Sequence, residues 1–296
     1  MSPTIREARK YAAQRLQAHG IPDPAWDADM LLSSVTGYQR LELSLRPLEA
    51  LTDQQERQLS ALLLSRVERE PLQYLLGKAG FFGRDFRVDH RVLIPRPETE
   101  LLCEKAIEAL TAVRAARPQP FVLDLCTGSG AIGVTLALEC PFAQVSACDL
   151  SPEALSLARQ NAQDLGAAVD LKQGNLFEAV TGRRFDMIIS NPPYIPQKEL
   201  AGLQEEVRRE PQMALDGGED GLDFYRRIAK EAPEYLNSDG WLLLEIGDGQ
   251  GEAVKKMLLK QGFQRVTVFP DDQGLERMVT ARWPGFPSQT DTELDT

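Results

Sequence analysis

The sequence predicts an α/β protein in which a small helical bundle and a β-hairpin precede a parallel sheet with helices on both faces. Two observations support this prediction. The first 77 residues show helical periodicity throughout, whereas from residue 121 onward apolar strand segments alternate with helical segments. Such alternation is typical of a parallel sheet, because parallel strands are joined by crossover helices. The chain of 296 residues is also long enough for two domains.

Three helices are predicted within residues 1–77. Thr4 followed by Glu7 is a capping box, Asp23 precedes a proline that opens the second helix, and Thr52 caps the third. A helix must bury one face to be stable, so the apolar stripes of these helices are expected to form a shared core. The stripes are Ile5, Ala8, Ala12 and Leu16 in the first helix, Trp26, Met30, Leu31 and Val35 in the second, and Leu59, Leu62, Leu63 and Val67 in the third.

A two-stranded hairpin is predicted over residues 80–94. Apolar and charged residues alternate over 86–88 and again over 92–94, so we place the turn near residues 89–90. Two prolines then stiffen the chain before a predicted helix over 98–115.

The remainder of the chain predicts a seven-stranded sheet. Five strands, at 121–126, 144–149, 170–175, 185–191 and 241–247, are separated by helical patterns near 130–138, 152–165, 221–235 and 249–261. Two further strand candidates, 265–269 and 277–283, follow each other without a clear helix, which predicts an antiparallel hairpin at one edge of the sheet. The tail at 284–296 has no apolar pattern and is predicted to be disordered.

The composition excludes several classes of protein. Hydrophobic residues make up 43% and charged residues 26%, as in globular proteins, and no apolar run approaches the length that spans a membrane. The first ten residues lack the apolar core of a signal peptide. The four cysteines include no C-x-x-C pair and there are two histidines. We therefore expect no metal site, no disulfide framework and no membrane partner, and a cytoplasmic location.

The formal net charge of −11 lies mostly on the predicted sheet domain. Residues 95–283 carry −9, whereas residues 1–77 are near neutral and residues 78–94 carry +2. A chain this acidic repels phosphate backbones at long range. We therefore expect no direct binding of nucleic acid.

A glycine-rich loop at 124–130 leads out of the first strand of the predicted sheet. Gly128, Gly130 and Gly133 match G-x-G-x-x-G, a pattern of nicotinamide dinucleotide folds, although a tight turn alone would also explain them. Asp149 ends the next strand, where a carboxylate can accept hydrogen bonds from ribose hydroxyls or can simply end the strand. Together these features predict an adenosine-containing cofactor without deciding which one.

Leu176 and Phe177 follow the third strand of this predicted sheet. Either side chain could pack against an adenine ring, and core packing explains each of them equally well.

The tetrapeptide Asn191-Pro192-Pro193-Tyr194 follows a buried strand, at the edge of the sheet where the cofactor is expected. Two prolines cannot continue a central strand, but a rigid exit loop does not explain the flanking Asn and Tyr. The Asn191 amide oxygen and the Pro192 carbonyl can accept both N–H bonds of a planar NH₂ group, which directs the nitrogen lone pair toward an electrophilic methyl group. Tyr194 offers a ring face to the planar substrate. The pattern therefore predicts methyl transfer to an amide or exocyclic amine.

Five longer segments extend this pattern into a resemblance to a known family. The chain resembles the peptide chain release factor N5-glutamine methyltransferases, which are class I methyltransferases dependent on S-adenosylmethionine. The segments are PLQYLLG at 71–77, the FFG hairpin at 81–88, VLIPRPETE at 92–100, SNPPYIP at 190–196 and EPQMALDGGEDGLDFYRRI at 210–228.

The resemblance implies a Rossmann-like class I methyltransferase domain at 96–283. It further implies a substrate-docking helical bundle at 1–77, a β-hairpin linker at 78–95 and a disordered tail at 284–296. The implied reaction moves a methyl group from S-adenosylmethionine, leaving S-adenosylhomocysteine, to the glutamine of the Gly-Gly-Gln motif in class 1 release factors.

The family's motifs also imply the site residues. Two positions depart from the family pattern: Cys126 stands where Gly is usual, and Asn175 stands where Asp is usual, which weakens a charge-based role at that position. Implied cofactor contacts are Cys126, Thr127, Gly128, Ser129, Gly130, Asp149, Leu176 or Phe177, and Asn191. Implied substrate contacts are Asn191, Pro192, Pro193 and Tyr194, of which Asn191, Pro192 and Tyr194 are the catalytic set.

Three other functions were compared with this one. An adenine-N6 methyltransferase acting on DNA or RNA would use the same tetrapeptide but would need a basic binding surface. A nicotinamide-dependent oxidoreductase would leave the tetrapeptide unexplained, and a non-catalytic binding protein would keep the site only as a remnant. The roles of Arg96, Glu98 and Glu100 stay open between substrate contact and capping of the helix that follows.

Overall fold

The computed structural model of the protein describes residues 2–286, and these form two compact units. Among the described residues, one unit contains 2–79 together with 88–90 and 203–209, and the other contains 80–87, 91–202 and 210–286. The predicted disordered tail lies outside the described residues from position 287 onward.

The first unit is a helical bundle. The capping boxes at Thr4 and Thr52 are both formed, with the side chains of Glu7 and Gln55 returning to the cap backbone. Its helices are α1 Ile5–Ala18, α2 Pro24–Thr36, α3 Arg40–Leu45, α4 Asp53–Val67 and α5 Leu72–Leu76. The predicted stripes of α1 and α4 are buried or packed against the core of this unit.

The predicted stripe of α2 is wrong in part, because this helix buries charge. Trp26 is 42% exposed, and the guanidinium of Arg40 lies over its ring at 4.6 Å. Asp27 and Asp29 are buried instead, and Asp29 is held by Arg40 at 2.9 Å and by Arg9. Ion pairs with residues outside α2 therefore set which face of this helix points inward.

A buried ion network joins α2, α4 and the segment 203–209. Arg66 Nε donates to Asp27 at 2.6 Å, and Arg66 Nη1 donates to Glu206 at 3.0 Å. Arg69 also donates to Glu206, at 3.3 Å. Desolvation raises the pKa of Asp27 even though Arg66 opposes that shift. The bundle is thus completed by a segment far along the chain.

The hairpin consists of β1 Lys78–Phe81 and β2 Arg84–Arg87. Its turn is at Phe82 and Gly83, which both have positive φ, so the predicted turn at 89–90 is wrong. Gly83 enters the left-handed region at no steric cost, and the Phe82 amide donates to Glu100 at 2.9 Å. Residues 88–96 form no strand.

The second unit is built on a seven-stranded sheet, which confirms the predicted fold class. The strands are β3 Phe121–Leu125, β4 Gln144–Asp149, β5 Val169–Gln173, β6 Phe185–Ser190, β7 Leu236–Glu245, β8 Gln264–Pro270 and β9 Glu276–Trp283. The helices are α6 Pro97–Val113, α7 Ala131–Glu139, α8 Pro152–Leu165, α9 Gln197–Leu200, α10 Asp223–Tyr235 and α11 Gly251–Lys260.

The strand order β5-β4-β3-β6-β7-β9-β8 decides where a ligand can bind. The first five strands in this order are parallel, and β9 pairs antiparallel with both of its neighbours, as the sequence predicted for this edge. From β3 the chain first adds strands on one side and then on the other, through β6. Ligands bind beyond the carboxyl ends of the strands at such a switch point.

Apolar layers cover both faces of this sheet. Tyr225 and Ile228 of α10 pack on one face together with residues of α11, while Leu102 and Ala106 of α6 pack on the other. Among residues 2–286, no helix combines the length and hydrophobicity that a bilayer crossing requires.

Candidate active site

A cavity of about 380 Å³ opens at the carboxyl ends of β3, β4, β5 and β6, where the strand order reverses. All residues that line it belong to the second unit. They come from the segment before α6 (Arg91, Val92, Leu93), the strand ends (Cys126, Gly128, Cys148, Asp149, Leu150, Ser151, Ala154, Gly174, Asn175, Leu176, Asn191, Pro193) and the segment around α10 (Pro211, Met213, Ala214, Asp216, Phe224, Arg227).

The glycine-rich loop is held from below by Asp124, which is fully buried. Its Oδ2 accepts from the Thr127 hydroxyl at 2.5 Å and from the Gly133 amide at 3.0 Å. Burial raises the pKa of Asp124 to about 7, although both hydrogen bonds favour the charged form. Thr127 therefore serves the loop itself and is not part of the cavity wall.

The remaining loop residues divide between the cavity and the interior. Cys126 and Gly128 line the cavity, while Ser129 and Gly130 are buried behind it. A Cβ at Gly130 would lie 3.2 Å from that of Ala158, so this glycine allows α8 to pack closely. Cys126 adopts φ +59°, which is the left-handed backbone conformation that favours glycine.

Asp149 is placed where the sequence predicted it, at the end of β4 and in the cavity wall. Its Oδ2 accepts from the Gly128 amide at 2.8 Å and its Oδ1 from the Ser151 amide at 2.9 Å. Desolvation raises its pKa, while these backbone amides favour the carboxylate. Each oxygen of the Asp149 carboxylate still has a free lone pair, so the two oxygens can accept hydrogen bonds from the two hydroxyls of a diol.

The structure separates Leu176 from Phe177. Leu176 lines the cavity and has a positive φ of 56°. Phe177 is fully buried and stacks on Tyr235, with 4.5 Å between ring centroids. Phe177 therefore packs in the core, and Leu176 is the one of the two that faces the cavity.

The tetrapeptide leaves β6 at the cavity, as its position in the sequence predicted. Asn191 and Pro193 line the cavity, whereas Pro192 and Tyr194 do not. Asn191 Nδ2 donates to the Thr99 hydroxyl at 3.2 Å, so its Oδ1 is the acceptor on the other branch of the amide. The ring of Tyr194 packs against the apolar core near α10, and burial raises its pKa.

The backbone of Tyr194 is clamped by residues that the sequence patterns did not single out. Gln250 Nε2 donates to the Tyr194 carbonyl at 3.0 Å. A Cβ on Gly217 would lie 2.7 Å from Tyr194 Cα, and one on Gly221 would lie 2.4 Å from the Tyr194 carbonyl oxygen. Only glycine permits backbone contacts this close. The two glycines lie within the segment 210–228 that carries the resemblance, which is the signal that could have identified them.

Thr99 and Glu245 were also missed. The Thr99 hydroxyl donates to Glu245 Oε2 at 2.6 Å, and both residues are buried beside Asn191. Glu245 interrupts the apolar run Leu-Leu-Leu-Glu-Ile at 242–246, and a carboxylate at such a position is the signal that could have identified it.

Arg96 and Glu100, two of the three residues whose roles the sequence left open, both make contacts within the second unit. Arg96 pairs with the buried carboxylate of Glu210, which also accepts from the Ile94 amide at 2.9 Å. Glu100 accepts from the Phe82 amide in the hairpin turn. These contacts hold the chain on both sides of Arg91, Val92 and Leu93 in the cavity wall.

Within the described residues, no group of three or more His, Cys, Asp and Glu side chains is arranged to hold a metal ion. The polar groups of the cavity suit an organic ligand, because they combine fixed acceptors on Asp149 and Asn191 with a mainly apolar wall.

Two family models match the chain. One, the PrmC N-terminal domain, matches residues 7–77, and the other, the methyltransferase small domain, matches residues 103–218. The first match falls on the helical bundle, and the second begins in α6 and extends past the tetrapeptide.

Curated proteins match over nearly the whole chain. A release factor glutamine methyltransferase of Geobacter sulfurreducens is 44% identical over 280 residues, which is 94% of this chain and 96% of that protein. One of Cereibacter sphaeroides is 44% identical over 281 residues, covering 94% and 98%. A similar fold is found in a solved structure of the Thermus thermophilus 16S rRNA N2 G1207 methyltransferase in complex with AdoMet and guanosine. The TM-score is 0.51 and the sequence identity is 18%, and the match covers 70% of this chain and 49% of that one.

Proposed function

Because the chain belongs to the release factor glutamine methyltransferase family, we propose that it transfers a methyl group from S-adenosylmethionine to the side-chain amide nitrogen of a glutamine in a peptide chain release factor. The position of Asn191 supports this function most directly. Its amide follows β6 into the cavity with Nδ2 engaged by Thr99, which leaves Oδ1 as a fixed acceptor for an N–H of the substrate.

The chemistry needs positioning more than acid or base strength. A glutamine amide nitrogen is planar and weakly nucleophilic, because its lone pair is delocalised into the carbonyl. If Asn191 Oδ1 accepts one N–H and the Pro192 carbonyl accepts the other, the nitrogen lone pair is directed out of the hydrogen-bonded plane. Preorganised acceptors of this kind stabilise the positive charge that develops on the nitrogen as the new N–C bond forms. The S–CH₃ bond breaks in the same step, S-adenosylhomocysteine leaves as a neutral thioether, and the nitrogen then loses one N–H proton to water.

The cavity fits S-adenosylmethionine, whose sulfonium makes its methyl group electrophilic. We assign the ribose to Asp149, whose oxygens are already fixed by two backbone amides. Cys126, Gly128, Leu176 and Asn191 complete the cofactor contacts among the cavity-lining residues. Thr127, Ser129 and Gly130 shape the loop from behind, and Phe177 packs in the core on Tyr235.

The substrate glutamine is the one in the Gly-Gly-Gln motif of class 1 release factors. Asn191 and Pro193 of the cavity wall hold it together with the Pro192 carbonyl, Tyr194 supports the tetrapeptide from the core, and the helical bundle at 1–77 docks the rest of that protein. Neither a nucleic acid nor a membrane is a partner in this proposal, and the reaction takes place in the cytoplasm, where release factors act.

The test is methylation of a purified class 1 release factor with isotopically labelled S-adenosylmethionine, mapped by mass spectrometry. We expect one added methyl group on the glutamine of Gly-Gly-Gln, and none when that glutamine is replaced by asparagine. Equimolar DNA and RNA oligonucleotides and a reaction with NAD in place of the methyl donor serve as controls. Label on adenine, or a thermal shift with NAD alone, would contradict the proposal.

Gly217→Ala is expected to lower turnover by about 100-fold. The added Cβ would lie within 2.7–2.9 Å of Tyr194 Cα, Tyr194 C and Gly221 Cα, so one of these backbones must move, and displacements near 1 Å at a reacting centre cost about this factor. Two quantities are measured for this variant: the initial rate of release factor methylation and the melting temperature.

Gly202→Ala is the matched control for Gly217→Ala. Gly202 is exposed, and its added Cβ would lie no closer than 3.5 Å to the Glu199 carbonyl oxygen, so we expect wild-type rates. Equal rates for the two variants would show that the close approach to Tyr194 does not matter.

A further inference from the structure

Glu245 is a buried carboxylate near Asn191, the residue proposed to orient the substrate amide. It is the last residue of β7 and is 3% exposed. Its Oε2 accepts from the Thr99 hydroxyl at 2.6 Å, and the nearby Asn191 amide favours the charged form of the carboxyl. Burial raises the pKa of Glu245 to about 7, so the fold carries an energetic cost for holding this carboxylate at neutral pH.

The hydrogen-bond direction within this cluster follows from the chemistry of its members. An ionised carboxylate can only accept, so the Thr99 proton must point at Glu245. The Thr99 oxygen is then left to accept, and the group it accepts from is Asn191 Nδ2 at 3.2 Å. If the Asn191 amide were flipped, its Oδ1 would face the Thr99 oxygen and the Glu245 carboxylate. Both are acceptors, so they would repel it.

We propose that Glu245 and Thr99 are positioning residues that lock the flip of the Asn191 amide, so that its Oδ1 always faces the substrate nitrogen. This inference deepens the proposed function and rests on it. Neither residue lines the cavity. Thr99 contacts Asn191 directly, and Glu245 fixes the direction of the Thr99 hydroxyl. Together they exclude the amide orientation that would present an N–H of Asn191 to the N–H of the substrate.

Glu245→Gln is the first test. The new Nε2 can donate to Asn191 Oδ1, which stabilises the wrong flip while the shape of the side chain is kept. We expect the kcat for release factor methylation to fall at least tenfold, with KM for the release factor and the Kd for S-adenosylmethionine changed less than threefold. We also expect the melting temperature at pH 8 to rise, because a buried charge has been removed.

That combination separates a positioning role from a structural one. A residue needed only for folding would lower the melting temperature on substitution and would not leave both binding constants intact. If Glu245→Gln lowers the melting temperature, or keeps kcat within twofold of the wild type, the inference is overturned.

The second test is the pH profile. A raised pKa means that Glu245 gains its proton as the pH falls through about 7, after which it can donate to Thr99 and the amide flip is no longer fixed. We therefore expect kcat of the wild type to fall below about pH 7 and kcat of Glu245→Gln to lack that decline.

The groups that face Glu245 do not produce the same decline. They are Glu98, Thr99 and Cys103 of α6, Asn191 and Tyr194 beyond β6, Tyr225 of α10 and Arg277 of β9. The pKa values of Cys103, Tyr194 and Tyr225 are raised further above neutrality by burial. Asp124 titrates near the same pH as Glu245, so persistence of the decline in Glu245→Gln would assign it to Asp124 and count against the inference.

Thr99 supplies a matched pair of variants that leaves the carboxylate in place. Thr99→Val keeps the shape but removes the hydroxyl, and we expect at least a tenfold loss of kcat. Thr99→Ser keeps the hydroxyl and is expected to retain most of the turnover. Equal kcat values for the two variants would overturn the inference. Failure of the proposed function looks different, because the wild type itself would then not methylate the release factor.

Discussion

Asn191→Ala is expected to lower the rate of release factor methylation by roughly 10²–10³, equivalent to about 3–4 kcal/mol of transition-state stabilisation. The side chain lines the cavity and donates through Nδ2 to Thr99, and in the proposed mechanism its Oδ1 accepts from the substrate amide. Its loss removes a preorganised contact that matters most as charge develops. Affinity for S-adenosylmethionine should fall less, because Asp149 and the glycine-rich loop remain.

Asn191→Asp is the sharper variant, because it keeps the shape and one acceptor oxygen. A carboxylate has no N–H to donate to the Thr99 hydroxyl, and it places a second negative charge beside Glu245, so the acceptor oxygen is no longer held in one orientation. Turnover should therefore fall even if the cofactor binds as tightly as before.

Single-turnover methylation and calorimetric titration of the cofactor measure the two effects on Asn191 variants separately. Asn237 lies at the opposite end of β7 from the cavity, and Asn237→Ala is expected to stay within about twofold of the wild-type rate. Rates within threefold of the wild type for both Asn191 variants, less than roughly 0.7 kcal/mol of barrier, would show that Asn191 does not orient the substrate.

Arg66→Ala is expected to destabilise the helical bundle by about 3–5 kcal/mol, because it leaves the buried carboxylate of Asp27 without its partner. Glu206 still forms its ion pair with Arg69 in this variant, so the loss of stability is expected mainly in α2 and α4. Hydrogen-exchange mass spectrometry along a urea series, read on peptides of these two helices, reports the change in the free energy of unfolding.

The double variant Asp27→Leu, Arg66→Met is the control for Arg66→Ala. It replaces the buried pair by apolar side chains, which is often neutral or stabilising. Recovery of wild-type protection is therefore expected. A loss below 1 kcal/mol for Arg66→Ala would show that Asp27 is satisfied by other groups, and equal losses for both variants would show that lost packing is responsible.

The bundle also shows where the sequence patterns stopped being informative. Periodicity located α1, α2 and α4 and their caps, because capping and amphipathicity depend on residues three or four positions apart. It assigned Trp26 to the core, since hydrophobicity was the criterion. The ion pairs that bury Asp27 and Asp29 instead depend on partners 11 to 39 residues away.

The sequence by itself determined the order of the seven strands of the sheet and their main connecting helices, the glycine-rich loop, Asp149 at its strand end and the tetrapeptide after β6. Each of these rests on neighbouring residues, and the carboxyl ends of parallel strands meet at one edge of the sheet.

Only the tertiary structure decided which of these residues face the cavity and what supports them. It placed Leu176 in the wall and Phe177 in the core, and it brought Thr99 and Glu245, 146 residues apart, to 2.6 Å beside Asn191. The physical reason is that burial and hydrogen-bond direction are set by groups that meet only when the sheet is assembled, so no local pattern in the chain encodes them.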